Sequence, residues 1–340
     1  MKAITHRGIK VSTINDVAAR AGVSAATVSR VINVNSNVSP ETFKKVTKAI
    51  DELNYRPNIL GRNLRKTKSE RILVILPNIS NPFYSEIVKG IEDVANQNGY
   101  YVMLCNTDSD LAREEKYIKM LKGQLADGAI LMASEMNSDD LAELSKDIPV
   151  VQCCEYKEGI PMPHVSIDNE LAAYKAVKHL IGLGHEKIAF IGAKNQFLSS
   201  SLRKKGYIRA LGEAGINFDP DYCDYGDYSY KSGFRIMKQL LKLSQRPTAV
   251  FCISDIMAIG AIRSAMEEKL QIPEDIAVCG FDNIYFSKMF KPSLTTISQP
   301  MYDLGCVAMD ALVNMIENGK AETMHYFLEH ELVIRESTVK

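Results

Sequence analysis

Residues 13–33 read TINDVAARAGVSAATVSRVIN. Thr13 and Asp16 form a capping-box-like S/T-x-x-D start, so a helix opens there. Ile14, Val17, Ala18 and Ala21 recur at helical spacing along one face. Gly22 closes the helix, because glycine enters the left-handed region without a steric penalty. Ser24 caps a second helix running through Ala25, Ala26, Thr27, Val28, Ser29, Arg30, Val31 and Ile32, with Val28, Val31 and Ile32 on its apolar side. Two short helices joined by a tight A-G-V turn predict a helix-turn-helix. Ser39-Pro40-Glu41 starts a third helix with a cap, a first-turn proline and an acid at the positive end. That helix continues through Val46, Ile50 and Leu53.

Charge agrees with this reading. The 340 residues carry 41 Lys/Arg and 41 Asp/Glu, yet residues 1–70 hold 13 bases and 5 acids while the remainder is net acidic. A basic end on an acidic body points to a nucleic-acid partner. In a helix-turn-helix the second helix fits the major groove, and the first helix and the caps face phosphates. Ala25, Ala26, Ser29 and Arg30 are placed to reach base edges; Thr27 and Ser29 are sized for phosphate oxygens, which the caps Thr13 and Ser24 also face. Arginine can grip a guanine edge with two bonds, whereas alanine offers only contact with a thymine methyl.

The run D-V-A-x-x-A-G-V-S-x-x-T-V-S-R-V-I-N, followed by V-S-P-E-T, L-N-Y-R-P-N and N-L-R, resembles the LacI/GalR family of bacterial transcription regulators. The resemblance covers essentially the whole chain; over the sensor half it is most similar to the cytidine-repressor branch. It implies a hinge that folds on DNA and pushes a leucine into the minor groove, Leu64 being the matching residue. Asn33, Tyr55 and Asn58 complete the candidate DNA-contacting set. Without the resemblance, the basic stretch around Leu64 reads as a flexible linker. The expected domains are a helix-turn-helix unit over 11–56, a linker over 57–69 and a body over 70–340.

From Arg71 onward, continuous apolar runs alternate with amphipathic ones. Strands are expected at 72–76, 101–105, 129–132, 150–153 and 165–167, with helices over 83–98 and 113–122. The pattern restarts with strands at 188–191, 249–253 and 277–279, helices over 203–214 and 255–269, and a further region over 229–243 that the pattern leaves unassigned. A last helix over 301–318 and a strand over 328–334 follow. Such alternation predicts an α/β body of two doubly wound lobes with parallel sheets covered on both faces. The resemblance implies a periplasmic-binding-protein-like body, with a ligand between lobes and several chain crossings.

Ligands of open parallel sheets sit beyond the carboxyl ends of the strands. Phe83, Tyr84, Glu155, Asp255 and Asp282 fall at such ends; Arg203 opens a helix, and Tyr228 lies in a G-D-Y stretch. The family patterns R-x-x-G-Y and G-[YF]-D-[ND] are met at Arg203–Tyr207 and Gly280–Asn283. Carried over, Phe83 or Tyr84 stacks on a ring, and Arg203 and Asp282 hold hydroxyls or a polar edge. Asp255 has a plain alternative as a helix cap, and Phe83 as core. The expected effector is a nucleoside or a small sugar.

Other classes find little support. There is no nucleotide-binding glycine loop, no nucleophile elbow and no zinc motif, so neither an enzyme nor a cofactor is expected. His179 and His185 read as surface or satisfied polar groups. The 7 cysteines include no C-x-x-C pair and sit mostly in apolar runs, as expected of reduced core thiols. No apolar run is long enough for a membrane helix and no secretory signal opens the chain, so a cytoplasmic location is expected. The reading is a dimeric repressor on a pseudo-palindromic operator. No heptad run follows V-I-R-E-S-T, so no tetramer of the lactose-repressor kind is expected. The alternatives are a corepressor-type or protein-controlled regulator and, against the N-terminal motif, a solute-binding protein.

Overall fold

A computed structural model describes residues 12–32, 38–55, 68–194, 197–319 and 324–339. It divides into two compact units, Met1–Ser69 and Glu70–Lys340.

The first unit contains α1 (Ile14–Ala21), α2 (Ala25–Ile32) and α3 (Pro40–Glu52). Both bonds of the capping box form: Thr13 Oγ1 accepts the Asp16 N–H, and the Asp16 carboxylate accepts the Thr13 N–H. Gly22 is left-handed at φ 67°, and the Val23 N–H returns to the Ala18 carbonyl. Val17, Ala18, Val28, Val31, Val46 and Ala49 make a small core. An Arg20–Glu52 ion pair at 2.6 Å clamps α1 to α3.

The second unit contains β1 (Arg71–Leu76), α4 (Pro82–Gln97), β2 (Tyr101–Asn106), α5 (Leu111–Lys122), β3 (Gly128–Leu131), α6 (Ser138–Asp147), β4 (Val150–Cys153), β5 (His164–Ile167) and α7 (Asn169–Gly182). It continues with β6 (Ile188–Ala193), α8 (Leu198–Glu213), β7 (Cys223–Gly226), α9 (Tyr230–Leu240), β8 (Ala249–Cys252), α10 (Asp255–Glu267), β9 (Ala277–Asp282), β10 (Thr295–Ser298), α11 (Met301–Asn318), β11 (His325–Leu328) and β12 (Glu331–Val333). Two six-stranded sheets result, ordered β11-β5-β4-β3-β1-β2 and β12-β10-β9-β8-β6-β7. The first is parallel throughout; in the second, only β12 runs antiparallel. The chain passes between sheets after β5, after β10 and after β11, which gives the crossings the resemblance implied.

Strand β1 shows why the sequence demands this arrangement. Ile72, Val74 and Leu76 pack on one side with α4 residues Ile87 and Ile91, while Leu73 and Ile75 pack on the other with α5 residues Ile118 and Leu121. A strand apolar at every position needs cover on both faces. Helices α4 and α11 approach so closely that a Cβ on Gly90 would stand 2.1 Å from the Tyr302 carbonyl oxygen, and one on Gly305 2.0 Å from that of Ile87.

Three expectations need correction. The apolar run at 101–105 is an edge strand, with Tyr101 70% exposed and Leu104 44% exposed, because β2 pairs on one side only. The strand expected over 328–334 forms only as the short β12 (Glu331–Val333); Leu328 instead ends β11, which begins at His325 and lies in the other sheet, and the chain crosses at Glu329–His330. Helix α8 opens at Leu198, so Arg203 sits a turn inside it rather than at its start. Alternation alone also missed α6, α7, β7 and β10, whose sequences are more polar or shorter.

Candidate functional site

In the first unit, α2 presents Ala26 and Arg30 to solvent, one turn apart on one face. Ala25 is turned partly inward against the small core, as is Tyr55, so each is less free for contact than its sequence position suggested. Ser24 Oγ accepts the Thr27 N–H at 3.2 Å and lies 2.9 Å from Thr27 Oγ1, which fixes both hydroxyls at the helix start. Thr13 is exposed and engaged in its capping box; Ser29 is half-buried. Asn33, Asn58 and Leu64 lie outside the described residues.

In the second unit, a cavity of about 520 Å³ opens where the carboxyl ends of both sheets converge. Phe83, Tyr84, Glu155, Arg203, Tyr228 and Asp282 all line it. Asn81 caps α4 by accepting the Phe83 N–H at 3.1 Å, and Pro82 follows in the first turn. That cap places Phe83 and Tyr84 at the cavity with their rings edge to face at 5.2 Å. The Tyr84 phenol is held well above its ordinary range, first by burial and then by neighbouring groups including Tyr228 and Asp282.

Arg203 is buried and already partly committed. Its Nε donates to Asn169 Oδ1 at 2.9 Å, one terminal nitrogen donates to the Ile253 carbonyl at 2.6 Å, and the guanidinium lies 3.7 Å over the Phe281 ring. A guanidinium carries five donors in a fixed fork, so these contacts orient it and leave N–H groups for a ligand. Asp282 Oδ1 accepts from Gln299 Nε2 at 2.8 Å. Burial pushes its carboxyl up to about 7, against the opposing pull of Arg203 and Gln299. Glu155 accepts the Ser199 N–H at the start of α8, where no side chain of the helix's own caps it. Its carboxyl is raised by burial and partly restored by the Ser199 and Leu198 bonds and by Arg203. Tyr228 shares a 2.7 Å hydrogen bond with Ser200.

Asp255 does not line the cavity, which corrects its expected place among the effector contacts. It is fully buried and accepts from the Ile284 N–H at 2.9 Å and from Thr296 Oγ1 at 2.5 Å. Nor does it cap its helix; Ser254 does. Tyr156 also turns away from the main cavity and stacks on His164 at 3.7 Å. His179 and His185 bond to Thr338 and Thr248.

Asn78, Ser80, Asp108, Ser109, Lys194 and Asp227 line the cavity and were not singled out from sequence. The same strand-end rule would have found Asp108 and Asp227 had β2 been carried to its end and β7 recognised. Backbone geometry is a second signal that only coordinates supply. Of the left-handed non-glycine residues among those described, half line this cavity: Asp108, Ser109, Cys154, Tyr228 and Asp282. Such conformations cost of order 1–3 kcal/mol each and gather at ligand sites.

A family model described as "Bacterial regulatory proteins, lacI family" matches residues 13–58, and one described as "Periplasmic binding proteins and sugar binding domain of LacI family" matches residues 69–336. The chain belongs to the LacI family of bacterial regulatory proteins. This LacI-family chain is 41% identical over 332 residues to the transcriptional regulator RegA of Clostridium saccharobutylicum, covering 96% of this chain and 99% of that one. It is 40% identical over 328 residues to catabolite control protein A of Priestia megaterium (96% and 99%) and 39% identical over 328 residues to the repressor CytR of Escherichia coli strain K12 (96% and 96%). These relatives are transcriptional regulators, not enzymes. Among solved structures, the lac repressor dimer bound to operator and the anti-inducer ONPF is similar with a TM-score of 0.87 at 31% identity, covering 97% of this chain and 100% of that one. The CelR–cellobiose complex is similar with a TM-score of 0.73 at 32% identity (96% and 99%). This protein is therefore a DNA-binding transcription regulator with a LacI-type helix-turn-helix and a periplasmic-binding-like body. No helix among the described residues is long and apolar enough to cross a membrane.

Proposed function

We propose that this regulator binds a pseudo-palindromic operator as a homodimer in the cytoplasm, and that a nucleoside or small sugar held in the 520 Å³ cavity sets its affinity for DNA. In this reading, residues 11–56 bind DNA, 57–69 link, and 70–340 bind the effector and the partner copy. The observation that carries it is the meeting of three aromatic rings (Phe83, Tyr84 and Tyr228) with Asp282, Glu155 and Arg203 in one cavity. An aromatic face covers the apolar side of a ring, a carboxylate accepts from hydroxyls, and a guanidinium fork donates to a polar edge. Asp108, Glu135, Glu155, Asp227 and Asp282 outnumber Lys194 and Arg203 around the cavity, which favours an uncharged ligand over a phosphorylated one. Support for a sugar also comes from the solved LacI-family regulator of Enterococcus faecium with bound ribose and from CelR with cellobiose.

Dimerisation draws support from apolar surface left open. Tyr101 and Leu104 on β2, and Tyr285, Phe286, Met289 and Phe290 after β9, are each 43–70% exposed. Clusters of this kind mark surfaces that a partner covers.

The test is thermal unfolding of the full chain against nucleosides, pentoses, hexoses, disaccharides and their phosphates. A ligand at 100 times its dissociation constant adds about 2.7 kcal/mol. The expected result is a midpoint raised by several degrees with an unphosphorylated nucleoside or sugar, and lowered or raised operator affinity at the same concentration. A shift confined to phosphorylated compounds, or a flat panel, overturns the effector assignment.

A further inference from the structure

Two adjacent cysteines at the cavity wall have no part in the proposed effector contacts. Cys153 ends β4 and is fully buried, with its sulfur 3.8 Å from the Leu304 carbonyl. Cys154 follows at φ 70°, half-buried, and lines the cavity beside Tyr84, Glu155 and Asp282. Successive side chains of a strand point to opposite faces. The left-handed turn at Cys154 ends that alternation, and the two sulfurs lie 3.6 Å apart.

Two thiols at this spacing are a donor pair for a single thiophilic atom, since two bonds of about 2.3 Å, the length of a metal–thiolate bond, span up to roughly 4.6 Å. Three classes of chemistry compete for such a pair. A disulfide between them would be strained, because the Cα atoms of neighbouring residues are about 3.8 Å apart, shorter than the roughly 4.4–6.8 Å of ordinary disulfides. A metal ion needs ionised sulfur and further ligands. Among the described residues, no group of three or more His, Cys, Asp or Glu could hold one. The hydrogen bond with Cys153, then burial, then the carboxylates of Glu155 and Asp282 also hold the Cys154 thiol well above its ordinary range. What remains is an electrophile that requires only two sulfurs and removes their protons itself.

We propose that Cys153 and Cys154 form a dithiol site for monosubstituted trivalent arsenicals, opening onto the cavity. The reaction is R–As=O plus two Cys–SH giving R–As(S–Cys)₂ plus H₂O. Two S–H bonds and the arsenic–oxygen bond break, two As–S bonds form, both protons leave in water, and arsenic stays trivalent. Cys154 meets the reagent first, because it faces the cavity. Cys153 then closes the five-atom bridge from behind.

Phenylarsine oxide, stoichiometric with the full-length protein, is the probe. Intact-mass spectrometry is expected to show one phenylarsenic adduct per chain, and titration in denaturant the loss of two of the 7 thiols. A dithiol reductant releases the adduct and a monothiol at equal thiol concentration does not. Proteolysis of the unsubstituted protein maps it to the peptide containing residues 153 and 154, which needs no variant to fold. Cys153→Ser and Cys154→Ser each remove the stable adduct, and Cys252→Ser keeps it. An adduct that maps elsewhere, survives either of the first two substitutions, or never forms on the folded protein overturns the proposal.

Discussion

The Asp255 carboxylate accepts the backbone N–H of Ile284 at 2.9 Å, across 29 residues of sequence. The turn it holds contains Asp282 at φ 119° and Asn283 at φ 59°. Its other oxygen takes the Thr296 hydroxyl, and Arg335 secures the same turn from the far side by donating to Asn283 Oδ1 at 2.7 Å. Burial and the nearby Asp282 push the Asp255 carboxyl well up, while Thr296, Ile284 and Arg335 oppose this. A strained turn persists when its surroundings over-determine it. Asp255 thus acts on the cavity through the backbone that carries Asp282.

Removing that carboxylate leaves the Ile284 N–H without its acceptor and the Thr296 hydroxyl with only the Ile297 carbonyl at 3.4 Å. Each buried group left unsatisfied costs about 1–3 kcal/mol. We predict that Asp255→Ala destabilises the body by roughly 2–5 kcal/mol and that Thr296→Val, which removes the donor to Asp255 and the acceptor of the Asn283 N–H, costs roughly 1–3 kcal/mol. Urea unfolding of both variants checks this; a loss of under half a kcal/mol for Asp255→Ala would show that the turn holds itself.

Asp282 predicts a pH dependence. Its carboxyl is raised to about 7, so the folded chain holds a proton there that the unfolded chain releases near 4. Stability from this group is therefore fully present below about 4 and declines as pH rises toward 7. Ligand binding has the opposite sign if the ionised carboxylate accepts from hydroxyls. Affinity is then expected to be about tenfold weaker at pH 6 than at pH 8, in step with the ionised fraction of a group titrating near 7. Calorimetric titration of the panel's hit across this range measures it, and Asp282→Asn should flatten the profile. A flat profile in the unsubstituted protein removes Asp282 from hydroxyl recognition.

Arg30 gives a prediction for DNA. It is exposed one turn beyond Ala26 on the outer face of α2. If it contacts a base edge, Arg30→Ala costs about 1–3 kcal/mol and relaxes the sequence preference at one position of each half-site. If it contacts a phosphate, affinity falls evenly and the slope of log affinity against log salt drops by about 1. Fluorescence anisotropy on a randomised half-site library at several salt concentrations separates these outcomes. Unchanged affinity and slope would remove Arg30 from the interface.

Gly305 predicts the tolerance of the helix pair α4–α11. A Cβ there would meet the Ile87 carbonyl oxygen at 2.0 Å, backbone against backbone. Gly305→Ala must push the helices apart, and overpacking of this kind costs about 1–3 kcal/mol. Gly212, exposed with no atom near its Cβ position, is the control. In the last turn of α8, Gly212→Ala should stabilise by at most about 0.5–1 kcal/mol. Thermal unfolding of the two variants reads both signs.

How much of this was legible beforehand depends on the range of each interaction. The helix-turn-helix could be read because its determinants are local: Thr13 with Asp16, Gly22 after Ala21, and Ser39 before Pro40 act within a single turn of chain. The twice-repeated strand–helix alternation was legible for the same reason, since a strand such as Ile72–Leu76 declares its two-sided burial in its own residues. The strand-end rule then supplied Phe83, Tyr84, Glu155 and Asp282, the family pattern supplied Arg203, and Tyr228 stood out only by its G-D-Y setting. The pairing of strands was decided elsewhere. A single strand is expected over 328–334, yet β11 (His325–Leu328) pairs with β5 and β12 (Glu331–Val333) with β10, because each completes the open edge of a different sheet. Asp255 and Asp282 are both acids at strand ends; the family pattern favours Asp282, and Asp255 stands between ligand contact and helix cap. Only the packed fold turns one into the cavity and buries the other against Ile284 and Thr296, because hydrogen bonds between residues 29 and 41 positions apart exist only after the sheet has formed. The 3.6 Å approach of Cys153 and Cys154 belongs to the same class: adjacency is written in the sequence, but the left-handed turn that joins their sulfurs is imposed by the surrounding structure.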